Sequence, residues 1–76
     1  MPKLPVLRAK KVIGALIGAG FYIHHQSGSH AQLRHSAKLY LRVTIPRHDK
    51  FDLPPFVLMS ILKQAEMTKE EFLKLL

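Results

Sequence analysis

The sequence predicts a single α+β domain in which helices cover one face of a three-stranded antiparallel sheet. The chain has 76 residues, and a chain of this length has enough apolar surface for only one small core. Apolar residues recur at helical spacing near both ends of the chain, whereas apolar and polar residues alternate in the middle. We therefore treat residues 1–76 as one domain with the order α-β-β-β-α, followed by a short helix.

The first helix is predicted over residues 9–19, and Gly20 is expected to end it. Its apolar face carries Val12, Ile13, Leu16 and Ile17. The basic residues before "VIGALIGAGFYI" also resemble the start of a secretion signal. We favour the helix, because the apolar run is shorter than the roughly 20 residues of a membrane span and its removal would leave too small a core.

Three strands are predicted after Gly20, in the segments "FYIHHQ", "SHAQLRH" and "LYLRVTIP". A Ser-Gly turn separates the first two, a loop at 36–38 precedes the third, and Pro46 ends the third. Alternation assigns the following side chains to the helix side: Phe21, Ile23, Ala31, Leu33, Leu39, Leu41, Val43 and Ile45. The opposite face is then expected to carry Tyr22, His24, His30, Gln32, Arg34, Tyr40, Arg42 and Thr44.

A second helix follows the loop "RHDKFDLPP", because Pro54 and Pro55 suit the first turn of a helix. Its predicted core stripe consists of Leu58, Ile61, Leu62 and Ala65. Thr68 and Glu71 have the spacing of a capping box, in which each side chain hydrogen-bonds the backbone N–H of the other residue. This spacing predicts a short final helix that begins after Thr68.

The charge balance favours a polyanionic partner. The chain has 12 Lys and Arg residues against 5 Asp and Glu residues, a net charge of +7 with the histidines neutral. Such an excess is typical of domains that bind nucleic acid, an anionic membrane face or an acidic protein. An ordinary basic surface without a ligand is the alternative. The absence of cysteine excludes disulfides and thiolate metal sites.

The segment "HHQSGSHAQLRH", residues 24–35, contains four of the five histidines. A metal site is one interpretation, because His24 and His30 could be neighbours across two strands. However, zinc sites usually also use cysteine or acidic ligands at fixed spacings, and no such residue lies between His24 and His48. We therefore predict neither a metal nor another cofactor.

Catalysis by a single histidine is the sharper hypothesis for this segment. Imidazole exchanges its proton near neutral pH, so it could take a proton from a ribose 2′-OH or give one to the departing 5′ oxygen of RNA. His30 is the best placed, because it follows the turn Gly28–Ser29, whose backbone amides could approach a phosphate. Arg34 and Arg42 are candidates for holding phosphates.

A resemblance to a known family extends over nearly the whole chain. The segments "VIGALIGAGFYIHHQSGSH", "VTIPRH" and "LPPFVLMSILKQAEMTKEEFLKLL" resemble, in this order, the HicA toxins, ribonucleases of type II toxin–antitoxin modules. The motifs that carry the resemblance are Ala19-Gly20-Phe21, Gly28-Ser29-His30, Pro46-Arg47-His48, Ile61-Leu62-Lys63-Gln64-Ala65 and Glu70-Glu71-Phe72. Each motif is weak alone, but five in register are a strong signal.

The resemblance implies a fold like that of double-stranded-RNA-binding domains. It also implies cleavage of mRNA with His30 as the catalytic residue. No metal is expected to be needed, because the nucleophile, the ribose 2′-OH, belongs to the substrate. His48 either supports the site or only caps the loop that follows the sheet. A HicB-type antitoxin is then expected to cover the active face, and the setting is expected to be cytoplasmic, without a membrane partner.

Several positions depart from the family pattern. The family often has Arg-Gln-Lys before Gly-Ser-His, whereas this chain has His25-Gln26-Ser27, so two fixed charges near the site are missing. The glycine that is common after Gln-Ala is Glu66 here. In the second helix, Phe56, Val57 and Met59 either thicken the core or form a surface for the antitoxin.

Two other functions remain open at this stage. The chain could be an RNA-binding module of the same fold without chemistry, which would retain RNA and leave it intact. It could also be a protein-interaction domain with an acidic partner, which would have no affinity for RNA at physiological salt.

Overall fold

The computed structural model describes residues 3–48 and 50–76, so residues 1–2 and Asp49 of the predicted domain and loop lie outside the described residues. The elements follow in the predicted order α-β-β-β-α, with a short helix at the end. They are α1 (Ala9–Gly18), β1 (Phe21–Ser27), β2 (His30–His35), β3 (Arg42–Pro46), α2 (Pro55–Gln64) and α3 (Lys69–Leu73). The α+β fold class is confirmed.

The three strands form one antiparallel sheet in the order β1-β2-β3. A two-residue turn, Gly28–Ser29, joins β1 to β2, so the first two strands form a tight hairpin. Gly28 has a positive φ of 55°, a left-handed conformation that glycine adopts without steric cost. The central strand β2 carries His30 at its first position, directly after this turn.

The core lies between the sheet and the helices. Helix α1 contacts β1 and β3, whereas α2 contacts β3. Alternate residues of β2 and β3 point into this core and alternate with exposed residues, as a half-buried sheet requires. The largest fully buried side chains are Phe72, Leu16, Leu33, Ile45, Ile61, Val12 and Val43.

Both long helices end with a residue in the left-handed region. Gly20 ends α1 as predicted, with φ of 102°, and its N–H donates to the carbonyl of Ile17. After α2, the N–H of Met67 donates to the carbonyl of Leu62 at 2.9 Å and that of Glu66 to the carbonyl of Lys63 at 3.1 Å. This is the Schellman pattern, and it places Glu66 at φ of 54°.

The final helix begins as the sequence predicts. The Glu71 N–H donates to the Thr68 hydroxyl at 3.1 Å, and the Thr68 N–H donates to the Glu71 carboxylate at 2.9 Å. Both bonds of the capping box are therefore present. Phe72, one residue later, is completely buried, so this short helix closes the core.

The prediction that the third strand starts at Leu39 is wrong. Strand β3 begins at Arg42, and Leu39 is 70% exposed. The cause is a tight turn after β2, where the His35 ring accepts the N–H groups of Ala37 and Lys38. The Lys38 carbonyl then accepts the N–H of Leu41 at 3.0 Å, so the chain turns through Leu39 instead of extending.

Two further expectations about the core need correction. Ile23 pairs with the buried Leu33 but is 42% exposed, because it lies on the outer strand, which the helices cover only in part. Phe56 and Met59 are exposed on α2, whereas Val57 packs partly against the core. Phe56 and Met59 therefore do not thicken the core, and the idea of an antitoxin surface stays a prediction.

Candidate nucleic-acid interface and active site

The sheet face away from the helices, here called the open face, presents three rows of paired residues. One row is Tyr22–Arg34–Arg42, the next is His25–Gln32–Thr44, and the last is Ser27–His30–Pro46. Directly paired residues of an antiparallel sheet share a face, so each row crosses all three strands. His30 thus lies at one end of the open face and the two arginines lie near the other.

His24, which the sequence predicted on the open face, belongs to none of these rows. The register shifts between Ile23 and His25, which leaves His24 without a paired residue and sets His25 opposite Gln32. An extra residue of this kind reverses the alternation beyond it. The open face therefore carries His25 in the place that strict alternation gave to His24.

Tyr40 also leaves the open face. Its hydroxyl donates to the Glu66 carboxylate at 3.0 Å, and Glu66 follows α2 on the helix side of the sheet. The hydrogen bond to Glu66 is the main cause that raises the pKa of Tyr40 above its ordinary value of 10.0. Tyr22 is therefore the tyrosine that remains beside the arginines.

The His30 side chain is exposed at the tip of the hairpin. Its Nδ1 atom lies 3.4 Å from the Ser29 hydroxyl oxygen, a separation too long to fix the ring firmly. Within residues 3–48 and 50–76, no other hydrogen bond engages this ring. The imidazole can therefore meet a ligand from solvent with its nitrogens available.

Hydrogen bonds from Arg47 stabilise the end of the sheet that carries His30. The Arg47 N–H donates to the Ser29 carbonyl, and the Arg47 guanidinium donates to the Gln26 side chain at 2.9 Å. Arg47 follows β3 while Gln26 belongs to β1, so this side chain spans all three strands. The sequence analysis identified Arg47 only as the middle residue of the Pro-x-His motif. It did not predict these hydrogen bonds, because Gln26 and Ser29 are distant in sequence.

His48 directly follows Arg47 in the chain and is exposed. Its carbonyl accepts the Phe51 N–H at 2.9 Å, which turns the loop away from β3. In the described part of the chain, the His48 ring makes no hydrogen bond to His30. The predicted supporting role of His48 therefore stays a prediction.

His35, the last histidine of the cluster, has a structural environment. Its Nδ1 accepts the N–H groups of Ala37 and Lys38, each at 3.0 Å, while Nε2 lies 3.0 Å from the Ala19 carbonyl. These partners require a neutral ring with the proton on Nε2. The ring also packs edge-on against Phe21, with 4.9 Å between centroids. His35 therefore fixes the turn after β2.

Arg34 and Arg42 face each other directly across β2 and β3. Among residues 3–48 and 50–76, neither guanidinium group makes a hydrogen bond or ion pair. The sequence contains no acidic residue before Asp49, so none of the three strands supplies a carboxylate. The open face is consequently cationic, and like charges directly opposite each other oppose folding.

No group of three or more His, Asp or Glu side chains within the described ranges is arranged to hold a metal ion. The histidines of the open face are spread over different rows, and the acidic residues all lie after β3. Likewise, no helix in the part of the chain that the structure describes is long and apolar enough to span a membrane.

Comparison with protein families shows which family this chain belongs to. Residues 9–67, well over half of its length, match the family described as the HicA toxin of bacterial toxin–antitoxin systems. The chain belongs to the HicA toxin family. The search of curated proteins found no match. As a HicA-family protein the chain has a toxin role, and the family implies an antitoxin as its partner.

The family match includes every element of the candidate site. It starts with α1 and ends just after α2, so it contains the hairpin with His30 and the Arg34–Arg42 pair. Helix α3 lies outside the matched residues, although its Phe72 is part of the core of this HicA-family protein.

Proposed function

We propose that this HicA-family toxin is an endoribonuclease that cleaves mRNA without a metal, with His30 as its one catalytic side chain. The observation that carries this proposal is the exposed imidazole at the tip of the β1–β2 hairpin, on a cationic sheet face. A histidine kept for packing would be partly buried and firmly hydrogen-bonded like His35. The His30 ring is exposed, and among the described residues it has only the long 3.4 Å contact with the Ser29 hydroxyl.

The reaction needs only a proton transfer at the scissile linkage. The 2′-OH of a ribose loses its proton and its oxygen bonds to the adjacent phosphorus, while the bond from phosphorus to the 5′ oxygen breaks, the leaving oxygen takes up a proton, and a 2′,3′-cyclic phosphate remains. Either the neutral His30 ring accepts the first proton and water supplies the second, or the protonated His30 ring supplies the second proton and water accepts the first. Because the nucleophile belongs to the substrate, no metal-bound water is required. A well-placed acid or base contributes about 10²–10⁴-fold.

The surroundings of His30 suit a phosphate. The open backbone at Gly28, where an added Cβ would meet nothing within 4 Å, and the Ser29 hydroxyl lie beside the ring and are candidates for binding the RNA backbone. Arg34 and Arg42 supply fixed positive charge on the same face. His48, in the loop after β3, is the candidate for a supporting residue.

The test uses the purified chain and a single-stranded mRNA fragment in EDTA. We expect cleavage with 2′,3′-cyclic phosphate ends, and we expect His30→Ala to bind the RNA and leave it intact. His24→Ala is the matched control, because it removes an exposed imidazole at the unpaired position of β1; it should cut normally. Full cleavage by a folded His30→Ala protein would remove His30 from the mechanism.

We also propose that the antitoxin is of the HicB type, that it covers the open face, and that the protein acts in the cytoplasm. Growth arrest on expression, relieved by the co-expressed antitoxin, tests the toxin activity in cells. If the chain binds RNA but never cuts it, the alternative of a non-catalytic RNA-binding module replaces the nuclease.

A further inference from the structure

We propose that Arg34, Arg42 and Tyr22 form a second RNA subsite on the open face, separate from the linkage that is cleaved. This subsite takes one phosphate between the two guanidinium groups and one base on the tyrosine ring. The inference rests on the proposed function and adds to it a substrate class, a single-stranded RNA segment that extends beyond the scissile linkage.

The two arginines are unfavourably paired. They are direct partners across β2 and β3, and neither side chain has a hydrogen bond or ion pair among the residues that the structure describes. Two like charges held opposite each other destabilise a sheet. A bound phosphate would remove this repulsion, because guanidinium groups match phosphate oxygens in charge and geometry.

Tyr22 lies beside the two arginines on the open face. It is the third member of the same row, opposite Arg34 on β1, and its side chain is 44% exposed. An exposed aromatic ring beside a phosphate site is the usual platform for a base of a single strand. Bases in a duplex are stacked on each other, so they are not available to such a ring.

Arg34 and His30 occupy different parts of the open face. Arg34 lies four positions after His30 along β2, which corresponds to about 13 Å between their backbones at the usual rise of a strand. Because side chains stand roughly perpendicular to a sheet, we assign Arg34 to a different phosphate from the one that His30 would help to cleave. The row between them, His25–Gln32–Thr44, is polar and crosses the same face, so a strand of RNA can follow it.

Binding of a fluorescent single-stranded 12-mer RNA to the His30→Ala protein tests the subsite without cleavage. The double variant Arg34→Gln/Arg42→Gln should lower the slope of log affinity against log salt by about 0.7, the value for one phosphate contact, and each single variant should weaken binding. Tyr22→Leu should weaken binding about 5- to 150-fold at an unchanged slope. Lys10→Gln, which removes the same charge from the exposed side of α1, is the control and should change affinity much less.

Thermal unfolding separates a binding role from a structural one. If the two arginines only repel each other in the free protein, Arg34→Gln or Arg42→Gln should raise the melting temperature by about 1–5 °C. A role in holding the sheet together would lower it. A lower melting temperature with unchanged RNA affinity would overturn the proposal.

RNA in which single phosphates are replaced by uncharged groups can show which phosphate the subsite binds. One phosphate at a time is replaced by a methylphosphonate, and the loss of affinity is measured for the His30→Ala protein with and without Arg34→Gln. We expect one linkage, distinct from the mapped cleavage point, where the replacement weakens RNA binding by the first protein clearly more than binding by the second, which retains only Arg42 at this phosphate. Equal losses in both proteins at every linkage, or equal binding of a duplex, would refute the subsite.

Failure of the nuclease and failure of the subsite give different results. If the unmodified chain binds RNA without cutting it but the arginine variants weaken binding as expected, the catalytic proposal fails and the subsite stands. If the chain cuts RNA and both arginine variants bind it like Lys10→Gln, the subsite fails and the nuclease stands.

Discussion

Glu66 gives the sharpest test of the physical account of the fold. It holds a left-handed conformation at φ of 54° as the residue that ends α2. For residues other than glycine this conformation costs about 1–2 kcal/mol. The Tyr40 hydroxyl, which donates to the Glu66 carboxylate at 3.0 Å, offsets part of that cost, so glutamate persists where glycine would fit without strain.

The expected effect of Glu66→Gly follows from these opposing contributions. Relief of the left-handed strain stabilises the fold. The larger backbone freedom of glycine in the unfolded chain reduces this gain in stability by about 0.4–1 kcal/mol. In a Tyr40→Phe background, which lacks the hydrogen bond from the start, about 1 kcal/mol should remain. That corresponds to a rise of about 4–8 °C in melting temperature for a chain of this size. With Tyr40 present, the gain should be smaller.

Thermal unfolding of the four proteins of this double-mutant cycle measures both contributions. Glu66→Gln is the control, because it keeps the left-handed strain and should not raise the melting temperature. If Glu66→Gly lowers the melting temperature in the Tyr40→Phe background, the strain at residue 66 is not what limits stability there. Equal gains in both backgrounds would show that the Tyr40–Glu66 bond contributes nothing.

Further predictions concern two glycines and one carboxylate. Gly20→Ala should destabilise the fold by about 1–3 kcal/mol in urea unfolding, because φ is 102° and the added Cβ would lie 2.8 Å from the His35 ring; Gly14→Ala, in open space on α1, should instead stabilise it by about 1 kcal/mol. The opposite order would contradict the assigned geometry. Hydrogen bonds from the Thr68 backbone and side chain hold the pKa of Glu71 below its ordinary value of 4.5. This carboxylate therefore stabilises the fold above that pH, and its contribution is lost as the pH falls through the lower folded-state pKa. Glu71→Gln should lower the melting temperature at neutral pH, and this loss should shrink as the pH falls below 4.5; an equal loss at every pH would exclude the ionised carboxylate as the cause.

Much of the candidate site could be predicted from the sequence, because it lies on β2. Alternation along this strand places His30, Gln32 and Arg34 on one face, and both the hairpin turn and the end of β3 at Pro46 come from local residue chemistry. The positions of His24 and Tyr40 could not be predicted in this way. One extra residue in β1 leaves His24 without a paired residue. A turn before β3 directs Tyr40 to Glu66.

The sequence by itself determined the elements whose causes are local: the stop of α1 at Gly20, the Thr68 capping box and the alternation of β2 and β3. Local patterns act through neighbouring backbone atoms, so they need no partner from elsewhere in the chain. Only the tertiary structure decided that His35 is partly buried and hydrogen-bonded, in contrast to the exposed His30. His35 meets carbonyl and N–H groups from the end of α1 and the next turn, and His30 meets solvent at the hairpin tip, because packing brings together atoms that are distant in sequence.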